Sequence, residues 1–259
     1  MGDKYIKALD ILSCNVLKNL STLKYLSIYK NHSDIKIMEA SNNWAVMVTF
    51  PTSILSYDTA TYPKATKAIF LNGTSDKLKH DLLNTLTPDN YILRLNQPLE
   101  LSGYRDSFTI STGYTYISFT CSVLNETPKN KGILPNSRIT REAIEMFGRN
   151  GYTPDDLVGY FENGAQWFGL TNNVRLVSAC FVFRNYGEIW EIAGVHTLKE
   201  ERRHRYAGMV VSSALNYLLE RGLTPRYEAE QDNRDSIHLA RHLGMKEFLT
   251  IRHYLLESR

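Results

Sequence analysis

Between residues 175 and 219 the spacing of apolar positions changes once, sharply. RLVSACFVFRN and EIWEIAGVHT are runs of β-branched and apolar residues of strand length. Asn185–Gly187 separates them, which predicts a hairpin. From Arg205 the spacing becomes helical. Ala207, Val210, Val211, Ala214, Leu215, Leu218 and Leu219 fall on one face, and Gly222 closes the helix. Around this unit the pattern predicts a helix over SRITREAIEMFGRNG, with Ser137 at the cap, and a short helix over TPDDLVGYFENG, where Pro154 suits a first turn. WFGLT reads as a strand, TPRYEAE as another, DNRDSIHLARHLG as a helix with Ile237, Ala240 and Leu243 inward, and KEFLTIRHYLLE as a final strand. Upstream, WAVMVTF, KAIFL, YILRLN and YTYISFT read as strands. DKLKHDLLNTL carries helical spacing through Leu78, Leu82, Leu83 and Leu86.

Strands alternating with helices in this order predict an α/β fold. The stretch NETPKNKGILPNS lacks periodicity and crowds Pro, Asn, Lys and Gly, so it marks the expected seam. The expected division is a smaller N-terminal α/β domain over 1–125, a linker over 126–136 and a C-terminal domain over 137–259, whose mixed, twisted central sheet is flanked by helices.

Composition narrows the function without naming it. The 259 residues are 43% hydrophobic and 22% charged, with a formal net charge of +3. That balance suits a globular protein and lacks the broad basic excess of a nucleic-acid binder. No apolar run approaches the roughly 18 residues of a membrane span. The three cysteines, Cys14, Cys121 and Cys180, are too scattered for a disulfide framework or a metal site, which leads to the expectation of a cytoplasmic protein without a metal.

The chemistry concentrates after the second hairpin strand, where Arg202, Arg203, His204 and Arg205 stand in a row at the start of the long helix. A helix N-terminus already leaves backbone N–H groups unpaired and carries about half a positive charge. Cations there oppose the dipole, so the arrangement calls for an anionic partner such as a diphosphate. A solvated helix start and a nucleic-acid patch are the other readings of the same cluster.

The stretch from Glu191 through Gly244 resembles the acyl-CoA-binding core of the GNAT superfamily of N-acyltransferases. The superfamily's pyrophosphate loop reads Arg/Gln-x-x-Gly-x-Gly/Ala. Here RRHRYA, which begins five positions after Thr197, places Arg202 first and Ala207 last. Asn233 and Ser236 match an Asn-x-x-Ser/Ala element, and Leu243-Gly244-Met245 matches a terminal Leu-Gly-Phe. EIAGVHTLKEER is most similar to the glycine N-acyltransferase-like branch, which also carries an N-terminal α/β domain. Two departures stand out: Arg205 replaces the loop's middle glycine, and Ala240 occupies the position where many relatives have the tyrosine that protonates the departing thiolate.

The resemblance implies N-acyl transfer, most simply acetyl, from acetyl-CoA or another acyl-CoA to a small-molecule or peptide amine by direct attack. It needs neither metal nor membrane nor nucleic acid, and monomer and homodimer both fit. A CoA-binding pseudoenzyme or sensor and a nucleic-acid-binding module are the alternatives. By resemblance Glu191 is the base, set in a low dielectric by Trp190 and Ile192. The backbone N–H of Val195 or His196 would stabilise the oxyanion, and the pantetheine would run along residues 195 to 197, including Thr197. Arg202, Arg203, His204, Arg205, Tyr206 and Ala207 would hold the pyrophosphate, provided that Arg205 takes a helical φ. Asn233 and Ser236 would contact the pantetheine, although Asn233 equally suits a helix cap. His204, His238, Tyr227 and Tyr254 are candidate thiolate donors, and Trp167, Phe168 and Trp190 are cleft or core residues.

Overall fold

The structure, a computed structural model, describes residues 2–123, 132–172 and 175–259. Most of the predicted seam therefore lies outside the described residues. In chain order the elements are α1 (Gly2–Ser13), α2 (Val16–Ile28), β1 (Asp34–Ala40), β2 (Asn43–Pro51), α3 (Ser56–Thr61), β3 (Lys67–Gly73), α4 (Asp76–Leu83), β4 (Tyr91–Leu95) and β5 (Phe108–Thr120). Then follow α5 (Arg141–Gly148), α6 (Pro154–Glu162), β6 (Gln166–Asn172), β7 (Arg175–Tyr186), β8 (Ile189–Thr197), α7 (Tyr206–Leu219), β9 (Thr224–Glu230), α8 (Arg234–His242) and β10 (Lys246–Ser258). The chain forms two compact units, residues 1–116 with 249–259, and residues 117–248. Strands β5 and β10 carry the chain from one to the other.

In the first unit the strand order is β1-β2-β3-β4-β10, with β3 and β4 parallel and the other neighbours antiparallel. Its core joins Met47, Ile69, Leu71, Leu93 and Leu256 to Leu78, Leu82 and Leu83 of α4. Helices α1 and α2 come as an addition to the sequence expectation. Asn15 caps α2 by accepting from the Lys18 N–H at 3.1 Å, and Ala8, Leu12, Leu20, Leu23 and Leu26 are fully or almost fully buried.

In the second unit the order is β9-β8-β7-β6, with β8–β9 parallel and the rest antiparallel. The end of β5 lies against β9, where the Thr120 hydroxyl donates to the Pro225 carbonyl at 2.7 Å. One face is covered by α7 and α8. Val210, Val211, Ala214, Leu215 and Leu218 meet Ile192, Cys180, Phe168 and Ile237 there. The other face is covered by α5 and α6, through Met146, Phe147 and Leu157 against Phe181 and Phe183. Helix α5 starts later than the sequence suggests: Thr140, not Ser137, accepts from the Ala143 N–H at 3.3 Å. Asn136 is already engaged with Trp167 of β6 through a pair of backbone hydrogen bonds. Pro154 does occupy the first turn of α6, behind a capping box built by Thr153 and Asp156.

Candidate functional site

Strands β8 and β9 pair in parallel from Ile189–Thr224 to Ile192–Tyr227. Among the described residues the pairing goes no further, although β8 runs on to Thr197 and β9 to Glu230. The two strands part at their C-terminal ends, where ligands bind in open α/β sheets. On its other side β8 bulges. Ala193 faces Phe181 and His196 faces Ala179, so Gly194 and Val195 together oppose Cys180. Gly194 takes φ +62°, and an added Cβ would lie 2.6 Å from the Phe181 ring and 2.9 Å from that of Phe147. Only glycine satisfies both the backbone conformation and the space. Its N–H donates to the hydroxyl of Tyr152, whose proton burial holds more tightly than usual.

After the bulge the backbone is braced from one side. Asn150 donates through Nδ2 to the Val195 carbonyl at 3.1 Å, and its Oδ1 lies 3.0 Å from His196 Nδ1. Ser178 donates to the His196 carbonyl at 3.2 Å and lies 2.8 Å from the Thr197 hydroxyl. Burial holds the His196 imidazole below its ordinary pKa, and Arg149 and Arg202 act in the same direction.

The basic loop then turns into α7. Arg202 reaches back to the Thr197 carbonyl through Nε at 3.4 Å. His204 Nδ1 lies 3.2 Å from the Glu201 carbonyl, and its ring stacks on Tyr206. Arg203 and Arg205 both adopt left-handed backbone, at φ 69° and 62°. The condition of a helical φ at Arg205 is not met: the arginine instead takes the left-handed conformation that favours glycine, the residue the family's loop has at this position, at a cost of about 1–2 kcal/mol for a residue with a Cβ, so a glycine-like backbone is present without the glycine. Arg205 is the N-cap of α7, yet its side chain accepts no N–H, and the first turn holds no acidic residue. Side chains 202 to 205 are exposed, and Tyr206 and Ala207 are half-buried in the first turn. The helix start therefore presents uncapped N–H groups beside three guanidinium groups, a setting that favours a polyanion.

Asn233 caps α8, with Oδ1 accepting the Ser236 N–H at 3.1 Å. The Ser236 hydroxyl is bonded to that of Tyr227, which burial holds protonated. Ala240 is buried in the core, His238 is exposed on α8, and Trp167 and Phe168 are buried core residues. Trp190 packs, half-buried, against the core beneath α7, and Tyr254 belongs to the core of the first unit.

Glu191 lies on the α5–α6 face of β8 and is 7% exposed. Its strand neighbours Trp190 and Ile192 point to the opposite face, as alternation requires, so they are not its surroundings. Arg226, its register partner on β9, donates to Oε2 at 2.6 Å, and Asn185 donates to the same oxygen at 2.7 Å. Arg226 is 4% exposed and also donates to Glu228 and, at 2.9 Å, to Ser118. Ser118 in turn donates to Glu228 at 2.9 Å. Burial pushes the Glu191 carboxyl up in pKa, Arg226 pulls it down, and Glu228 raises it again. The Arg226 guanidinium is held charged more firmly than usual by its two carboxylates. The sequence reading found Glu191 but not Arg226, Glu228, Asn185, Ser118 or Asn150. Its available signals were a charged alternation, Arg226 and Glu228, inside a strand, and a glycine, Gly194, in the middle of another.

Residues 138–253 match the family model described as GNAT acetyltransferase. Among solved structures, an acetyltransferase of the GNAT family from Colwellia psychrerythraea shares the fold at TM-score 0.52 and 12% identity, over 95% of this chain and 97% of that one. A GCN5-related N-acetyltransferase from Sphaerobacter thermophilus does so at TM-score 0.52 and 10% identity, over 84% and 81%. A Drosophila protein does so at TM-score 0.53 and 13% identity, over 99% and 96%. No curated protein matches the sequence. The family-model match is confined to residues 138–253, and the solved structures show a shared fold.

Proposed function

We propose that this region carries N-acyl transfer from acetyl-CoA, or another acyl-CoA, to an amine. The observation that supports it most is one continuous arrangement: β8 leaves β9 at Ile192, bulges at Gly194, and runs within a few residues into an uncapped helix N-terminus flanked by Arg202, Arg203 and Arg205. A long ligand with a diphosphate at one end and a reactive acyl group at the other fits that order. Arg202 to Ala207 would hold the diphosphate, and the unpaired edge of β8 at Val195 to Thr197 the arm. A backbone N–H of Val195 or His196 would meet the oxyanion. Asn233 has its Oδ1 spent as a cap, so a contact with the arm falls to its Nδ2 or to the Ser236 hydroxyl.

An amine nucleophile is mostly protonated at neutral pH and has to lose a proton. The cluster of Glu191, Arg226 and Glu228 supplies carboxylates at the parting of the strands, with Glu191 the one that the family resemblance points to. The likeness of EIAGVHTLKEER to the glycine N-acyltransferase-like branch supports a small amine acceptor, with a peptide amine the other option. The free, separated cysteines suit a cytoplasmic setting.

Release of CoA across a panel of primary amines tests the reading. Turnover with at least one amine supports it. Arg202→Ala with Arg205→Ala should weaken acetyl-CoA binding at least tenfold, and unchanged affinity would sink the diphosphate assignment. Tight binding of acetyl-CoA without turnover on any amine would instead favour a CoA-binding sensor, the reading that the apolar Ala240 supports.

A further inference from the structure

Resting on that reading, we infer that Glu228 is the catalytic carboxylate that takes the acceptor's proton, and that Glu191 is a positioning residue acting through Arg226. Two observations carry this, exposure and place on the strand. Each carboxylate has its Oε2 held by two donors, Arg226 and Asn185 for Glu191 and Arg226 and Ser118 for Glu228, but the Glu191 side chain is only 9% exposed. Glu228, tied to the same guanidinium, has a side chain 28% exposed. It is also the first residue of β9 beyond the last β8–β9 pair, Ile192–Tyr227, so it stands where the strands open.

The charge balance adds the substrate class. With both carboxylates ionised, two carboxylates and one guanidinium leave one net negative charge in a largely buried cluster, which costs free energy unless a proton or a cation completes it. An ammonium group supplies both, so the acceptor that fits the cluster is a basic amine that arrives protonated. It transfers a first proton to Glu228, which releases it to water and is again ionised. The nitrogen lone pair then forms a bond to the acyl carbon. The C–S bond breaks with its electron pair on sulfur, and the second N–H proton passes by way of water to that sulfur, which leaves as the CoA thiol. Glu191 holds Arg226, and Arg226 with Ser118 fixes the Glu228 carboxylate in place.

The test compares Glu228→Gln, Glu228→Asp and Glu191→Gln, each checked for an unchanged thermal transition and acetyl-CoA affinity, on amines graded from strongly to weakly basic. Glu228→Gln should lower kcat by about 10²- to 10⁴-fold for strongly basic amines. The loss should shrink steadily as the amine becomes less basic, because such a nitrogen sheds its proton to water unaided. Glu228→Asp should restore part of the rate on the basic amines. Glu191→Gln should lower the rate by a similar factor on every amine. A loss in Glu228→Gln that is equal across the panel, or no recovery in Glu228→Asp, would overturn the assignment. So would a graded loss in Glu191→Gln. If the wild-type protein binds acetyl-CoA and acylates no amine at all, the acyl-transfer reading falls, and this assignment with it.

Discussion

Glu191 and Arg226 face each other in register across two parallel strands, with the guanidinium Nη1 2.6 Å from the carboxylate Oε2. Both are almost fully buried, so the pair is not a surface decoration. Removing the arginine leaves two carboxylates without their shared cation. Arg226→Met should destabilise the fold by about 3–5 kcal/mol at pH 7, read by urea unfolding. Part of that cost is electrostatic and depends on pH. A buried carboxyl whose folded pKa is raised is penalised above its unfolded value, about 4.5, and the penalty grows until the folded pKa is passed. The deficit of Arg226→Met should therefore shrink as the pH is lowered toward 4.5. A deficit independent of pH would mean that lost packing, not stranded charge, dominates.

At Arg205 a side chain with a Cβ holds φ 62° at the entrance of α7. Glycine there removes a strain of about 1–2 kcal/mol but adds freedom to the unfolded chain. The net expectation for Arg205→Gly is a gain of about 0.5–1 kcal/mol, visible as a higher thermal midpoint. Arg205→Ala keeps the Cβ and should show no such gain. Equal effects of the two substitutions would contradict the left-handed conformation.

Gly194 is the reverse case. Alanine at φ +62° is strained and its methyl would meet the Phe181 and Phe147 rings well inside contact distance. Gly194→Ala should cost about 2–4 kcal/mol and flatten the bulge. If the bulge positions the oxyanion donor, CoA release should fall in this variant even where it remains folded, while acetyl-CoA affinity changes far less. A stable variant with full turnover would separate the bulge from the chemistry.

Long periodic elements were legible in the sequence because each buries a single face. The stripe from Ala207 to Leu219 is α7, and TPRYEAE is β9 residue for residue. Helix α1 escaped because its buried contribution is only Ala8 and Leu12 among exposed charges, and the Ser137 cap failed because Thr140 competes for the same role three residues later. Glu191 was visible through family resemblance, but its true neighbours were not. They come from β9, β5 and the end of β7, and a strand's own neighbours in sequence face the other way. Arg226 and Glu228 looked like an alternating pair of charges in a short strand. Only pairing of β9 in register with β8 adds Glu191 to them.

The first unit holds its own buried polar chain, which sets a pH dependence. Arg94 Nε donates to His253 Nε2 at 3.2 Å, so the neutral ring carries its proton on Nδ1, 2.9 Å from the Tyr62 hydroxyl. Arg94 is itself paired with the buried Asp58. Burial, helped by the adjacent Arg94, lowers the His253 pKa to about 3. In the unfolded chain the imidazole titrates near 6.5. Between those values the unfolded state binds the extra proton, so the folded state gains stability as pH rises through the window and has the full contribution above about 6.5. Lowering the pH from 7 to 5 should remove about 2 kcal/mol through this one residue. His253→Asn should be less stable than the wild type at pH 7, and the gap should narrow by about that amount at pH 5 in matched urea titrations. A gap that stays constant between the two pH values would show that His253 does not enter the folded state neutral.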